Sequence, residues 1–148
     1  MNRSSVDASH KTHLLENVNN KVNLNYIDKE TDYNDFNVQP MLLHKLSQYG
    51  PGVAVGDVNN DGLEDMYISG SHFENGIFQL QQSDGTYQEA QLIVDTLGDK
   101  PGEELSTLLI DIDGDDDLDL YTVLGGYEYD MDEDEYSDAA WRLPYSSK

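Results

Sequence analysis

The chain has 148 residues, with 30 Asp and Glu against 8 Lys and Arg, giving a formal charge of −22. Phosphate binding needs clustered basic side chains, so this balance argues against nucleic acid and against an anionic membrane surface, and it favours cations as partners. The chain has no cysteine, which removes disulfides, Cys-based zinc sites and thiol nucleophiles.

No apolar run approaches the roughly 18 residues of a membrane-spanning helix. The segment Met1-Asn2-Arg3-Ser4-Ser5 lacks the apolar core of a secretory signal. Residues 1–21 are polar and Asn-rich without periodicity and read as a mobile arm. A lead-in segment follows over 22–48. In it Val22, Leu24 and Tyr26 alternate with Asn23 and Asn25, the pattern of a short half-buried strand. Further on, Phe36, Val38, Met41, Leu42, Leu43 and Leu46 gather around Pro40. They predict an apolar cluster, with a turn or two of helix near Met41–Ser47. His44 lies inside that cluster and reads as structural, since no nucleophile or second histidine is close in sequence.

A first unit spans 49–100. Tyr49-Gly50-Pro51-Gly52 is turn chemistry. Val53-Ala54-Val55 predicts a short strand, and Met66-Tyr67-Ile68 a second that stops at Ser69-Gly70. Ile77–Gln81 alternates as a third. Ser83-Asp84-Gly85-Thr86 is an Asp-Gly hairpin turn, and Tyr87–Ile93 follows as a fourth strand. Between the first two strands stands Asp57-Val58-Asn59-Asn60-Asp61-Gly62-Leu63-Glu64-Asp65. Asp57, Asn59, Asp61 and Asp65 place side-chain oxygens at its first, third, fifth and ninth positions, and Gly62 stands at the sixth. Calcium is a hard cation that takes about six to eight oxygen ligands, and a short loop supplies them from alternate residues if a glycine allows the turn. Leu63 would contribute its backbone carbonyl.

A second unit spans 101–148 and repeats the order. Leu105–Ile110 matches the strand before the loop, and Leu118–Leu124 the strand after it. Between them Asp111, Asp113, Asp115 and Asp119 repeat the oxygen positions, with Asp117 at the carbonyl position and Asp116 where the first loop has Gly62. The stretch 127–138 is acidic but lacks a glycine and the alternate spacing, so it reads as a solvated loop. Trp141–Tyr145 predicts a third strand, weakened by Pro144, which donates no ladder hydrogen bond.

Gly52–Ile68 and Asp111–Tyr121 resemble FG-GAP/VCBS repeats. The lead-in Asn34–Gln48 is similar to that of bacterial VCBS repeat-containing proteins of the ASPIC/UnbV-associated type. The resemblance covers about residues 22 to 126. It implies an all-β fold, a partial β-propeller of about two blades, with the chain expected to be a fragment of a longer propeller. It also implies calcium as cofactor, held by Asp57, Asn59, Asp61, Leu63 and Asp65 and by Asp111, Asp113, Asp115, Asp117 and Asp119. The implied role is a non-catalytic binding or adhesion module, extracellular or at the cell surface, with a glycan or a protein as ligand. Incomplete blades leave unpaired strand edges, so self-association is a further expectation.

Three other readings compete. An EF-hand or dockerin shares the start of the loop, but it needs a carboxylate at position twelve and a helix after the loop. Here Ile68 and Thr122 occupy position twelve. The second is an enzyme using paired carboxylates, such as a glycosidase, or else a non-catalytic part of a carbohydrate-active enzyme. An acidic helical chaperone is the third.

Overall fold

The computed structural model describes residues 15–29, 32–37, 39–45, 47, 49–71, 74–91 and 103–125, with the backbone of Ala139–Arg142. The described residues are almost all β. Strands β1 (Val53–Gly56), β2 (Asp65–Ile68), β3 (Ile77–Gln81) and β4 (Tyr87–Gln91) form one antiparallel sheet in chain order. Strands β5 (Glu103–Ile110), β6 (Asp119–Gly125) and β7 (Ala139–Arg142) form a second sheet, also in order. The four strands of the first unit lie where alternation and turn residues put them. At the hairpin between β3 and β4, Gly85 takes φ 81°, and Asp84 accepts both the N–H and the hydroxyl of Thr86. Those two bonds pull the Asp84 carboxyl below its usual range. In the second unit β5 begins two residues earlier than expected. β7 starts two residues before the expected Trp141–Tyr145, and 143–145, Pro144 included, lie outside the described residues.

Among the described residues the two sheets share a small core. Pairing aligns Ala54 with Tyr67, Tyr67 with Phe78 and Phe78 with Ala90, so one row of side chains crosses all four strands. The rings of Tyr67 and Phe78 sit 4.8 Å apart and tilted. Leu120, fully buried, comes from the second sheet, with Leu109 beside it, and Val58 closes the loop side. Fully burying such a side chain contributes about 1.5–3 kcal/mol. With so few of them, polar contacts between the sheets weigh heavily.

One polar contact stands out. Glu104 on β5, 6% exposed, accepts the Tyr67 hydroxyl at 2.8 Å and the Gly70 N–H at 3.0 Å through the same oxygen. Its backbone carbonyl accepts the Ser69 hydroxyl, and its N–H donates to the Gly70 carbonyl. Ser69 Oγ in turn accepts the Gly52 N–H at 2.7 Å. Burial, reinforced by the Glu104 carboxylate, pushes the Tyr67 phenol up, so it remains a donor. Gly76 packs on the tip of Tyr67, where a Cβ would overlap the phenol.

The lead-in departs from expectation. Asn19–Val22 forms a single helical turn (α1), ended by Asn23 at φ 57°, and Leu24–Lys29 joins no sheet. The alternation survives in burial, with Val22, Leu24 and Tyr26 half-buried between exposed neighbours. Side chains tether the segment instead of a ladder. Asn23 donates to the Tyr87 carbonyl, Tyr26 to Asp28 and to the Ser69 carbonyl, and Ser71 to the Lys29 carbonyl. The expected apolar cluster does not form among the described residues: Met41 and Leu43 are 95% and 97% exposed, and Phe36 is exposed as well. Nor is there a helix among the described residues of 41–47; a 3₁₀ turn at Asp35–Asn37 lies earlier. Apolar residues crowded without a period have no common face to bury. A buried polar contact ties the segment instead, with Asp35 Oδ2 accepting the Ser47 N–H at 2.9 Å. His44 is exposed, its Nε2 3.3 Å from the Tyr49 hydroxyl. Residues 1–14 and the acidic stretch 127–138 lie outside the described residues.

Removing one donor from a buried carboxylate costs about 1–3 kcal/mol. Tyr67→Phe should therefore lower the melting temperature by about 2–4 °C for each kcal/mol lost in a domain of this size. An unchanged melting curve, followed by circular dichroism, would show that Glu104 contributes nothing through that hydroxyl.

Candidate metal centre

The two acidic loops fold alike. In each, the first Asp turns its carboxylate inward over the loop's own N–H groups. Asp57 accepts from Asp61 at 3.1 Å and from Gly62 at 2.8 Å. Asp111 accepts from Gly114, Asp115 and Asp116 at 2.7–3.2 Å. The fifth-position Asp accepts from the seventh residue: Asp61 from Leu63, Asp115 from Asp117. In the first loop Asn59 also accepts from Asp61. The ninth-position Asp accepts from the second residue: Asp65 from Val58 at 3.2 Å, Asp119 from Ile112 at 3.1 Å. This network winds each loop around its own acceptors.

Winding that tightly needs two left-handed residues per loop. Asn60 and Gly62 take φ 59° and 86°; Gly114 and Asp116 take φ 77° and 70°. Each loop thus spends one glycine and one Asn or Asp, the residue types that best tolerate this region. The sixth-position turn was legible in Gly62. The fourth-position turn was not, because Asn60 and Gly114 look unrelated until their backbones are compared.

Asp111, Asp113 and Asp115 offer carboxylate oxygens that all lie within 4.8 Å of one another. Three hard oxygen donors at that spacing fit a calcium-sized cation and would repel one another without it. In the first loop Asp57 and Asp61 are joined by the amide of Asn59, so fewer charges meet. Leu63 is half-buried at the seventh position. Asp65 and Asp119 are both buried beneath their loops. Asp65 also accepts the Gln81 N–H at 2.7 Å, so this one carboxylate joins the loop, β2 and β3. Burial raises its pKa above the ordinary 3.8; the Gln81 and Val58 N–H groups offset part of that, and the Asp61 and Asp57 charges add to it. Because the folded value is the higher one, protonated Asp65 favours the metal-free fold. That contribution is complete below pH 3.8 and is lost as the pH rises through the raised value.

Each loop leads into a strand, β2 or β6, and not into a helix. Position twelve is Ile68 or Thr122, on those strands. The EF-hand and the helical chaperone are thereby overturned. Sequence reasoning also missed Glu104, whose partners lie on the other sheet.

Sheet, acidic loop, sheet and acidic loop again define an all-β repeat protein. The family described as FG-GAP-like repeat matches residues 57–122, from the first residue of loop one to β6. Over this stretch, which is under half of the chain, the sequence is similar to that family. The lead-in lies outside the match. Neither curated proteins nor solved structures give a match to the chain.

Asp65→Ala strips the acceptor from two N–H groups, at about 1–3 kcal/mol for each one left buried. Asp61→Ala frees only the Leu63 N–H beside an exposed carboxylate. In chelator, Asp65→Ala should lower the melting temperature clearly more than Asp61→Ala does. Equal losses would mean that the bonds beneath the loop do not hold it.

Proposed function

We propose that the protein is a non-catalytic binding module whose two loops hold structural calcium. The observation that carries this reading is the convergence of Asp111, Asp113 and Asp115, in a loop whose hydrogen bonds repeat those of the Asp57–Asp65 loop. The ligands would be Asp57, Asn59, Asp61, the Leu63 carbonyl and Asp65 in one loop, and Asp111, Asp113, Asp115, the Asp117 carbonyl and Asp119 in the other. Bound calcium supplies positive charge where carboxylates crowd, and closes the loop between neighbouring strands. The chain's own part is to hold the oxygens in place with backbone N–H groups before the ion arrives.

The reading extends to an extracellular or cell-surface setting and a glycan or protein ligand. Kinship with FG-GAP-like repeats over 57–122 supports it. So does a cleft of about 520 Å³ between the lead-in and the first sheet, lined by Asn25, Tyr26, Lys29, Asn75 and Gln91 among others. Amides beside an aromatic ring are groups that bind polar, many-hydroxyl surfaces.

Extracellular calcium modules bind at about 10⁻⁴ to 10⁻³ M, and ten times Kd stabilises the fold by about 1.4 kcal/mol. Calorimetric titration should therefore show uptake at millimolar calcium, a higher melting temperature, and weaker binding at lower pH as the carboxylates protonate. No heat and no melting shift at millimolar calcium would refute the proposal.

A further inference from the structure

The two loops touch. Asn60 Nδ2, in loop one, donates to Asp117 Oδ1, in loop two, at 2.6 Å. A carboxylate can only accept here, so the amide orientation is fixed by its partner. Asp117 stands at the carbonyl position of its loop, which leaves its side chain free of any ligand role. Asn60 lies between Asn59 and Asp61, two of the candidate ligands of loop one. The bond therefore runs from the middle of one oxygen set to the middle of the other.

Two further observations set this contact apart from a chance surface pair. Asn60 adopts φ 59°, where the matching residue of loop two is Gly114 at φ 77°. Glycine takes that backbone without strain, so Asn at this position costs stability unless its amide is used. The bases of the loops are also packed together. Gly56, immediately before Asp57, faces Leu118, immediately before Asp119; a Cβ on Gly56 would come within 2.7 Å of Leu118 Cδ1 and 3.5 Å of Leu109 Cδ1. The loops are thus joined at the base by packing and near the tip by a charge-assisted hydrogen bond.

We infer that the two loops take up calcium as one coupled unit, with the Asn60–Asp117 bond as the link. The inference rests on the calcium reading above. Ordering loop one around an ion fixes residues 59–61 and with them the Asn60 amide. That amide holds Asp117, whose backbone carbonyl is one of the ligands proposed for the second ion. An ion in one loop therefore meets a partner loop whose ordering is already in part complete, which is positive coupling without a change of fold.

Calcium titration by calorimetry tests this in two backgrounds. The affinity of loop one is measured with loop two intact and with loop two silenced by Asp113→Ala and Asp115→Ala; the ratio is the coupling factor. The same ratio is then taken with Asn60→Gly, a substitution that suits a positive φ and removes only the amide. The expected ratio is at least about fivefold in the natural sequence and near one with Asn60→Gly. Uptake with the same ratio in both backgrounds would overturn the coupling and leave the calcium reading standing; no uptake at all would overturn both. A metal-free measurement stands beside it. Hydrogen exchange at the Gly114–Asp117 amides should quicken severalfold in Asn60→Gly under chelator, and unchanged exchange would show that the bond transmits nothing between the loops.

Discussion

Carboxylate oxygens accepting backbone N–H groups are what the loops, and through them the two sheets, depend on. With 30 acidic side chains against 8 basic ones, ion pairing cannot settle the charge. The ion pairs found among the described residues, Lys21–Glu16, Lys29–Glu74 and Lys45–Asp32, involve largely exposed groups, where such pairs contribute little. The organised carboxylates are elsewhere. Asp57, Asp65, Asp111 and Asp119 each face N–H groups of their own loop, and Asp65 reaches β3 as well. A backbone donor carries only a partial charge, so this satisfies the hydrogen bonds without cancelling the net charge. The remaining repulsion sits where Asp111, Asp113 and Asp115 converge.

The repeat is closer in backbone than in sequence. Both loops use left-handed residues at the fourth and sixth positions, but glycine fills the sixth in one and the fourth in the other. The exchange has a consequence at each place. At the sixth position Asp116 takes a conformation that Gly62 takes freely. At the fourth, Asn60 gains a side chain that Gly114 lacks, and that side chain makes the contact between the loops. Two loops of one design thus carry different secondary tasks.

Local signals made the first sheet legible. Its strands are short, Ile77–Gln81 alternates in sequence, and they are bounded by Gly-Pro-Gly, Ser-Gly and Asp-Gly, so turn chemistry marks their limits. The loops were legible because oxygen side chains at fixed spacing leave few other readings. What stayed hidden depends on partners far along the chain. Glu104 reads as an ordinary acidic residue at the start of a strand until Tyr67 and Gly70 are placed beside it. Asp35 and Ser47 meet across the lead-in although nothing in their neighbours marks them. The lead-in misled for the opposite reason. Val22, Leu24 and Tyr26 alternate as a strand would, but their segment is tied down by side chains, and alternation alone does not provide a neighbouring edge.

The junction between the sheets is held at both ends of β1, by different means. At its start Gly52 bonds to Ser69, and Ser69 and Gly70 to Glu104. At its finish Gly56 packs on Leu118 and the loops meet through Asn60 and Asp117. Ala54, Tyr67, Phe78 and Leu120 fill the space between. The Glu104 end consists of buried neutral donors around one carboxylate, and it asks nothing of a metal. The loop end carries crowded, exposed charge, and calcium bound as proposed would act there alone. Metal would then govern how tightly the loop ends of the sheets close while the opposite end keeps them aligned. A core this small gains from that division, because the aligned end limits how far the sheets can separate when the loops are empty.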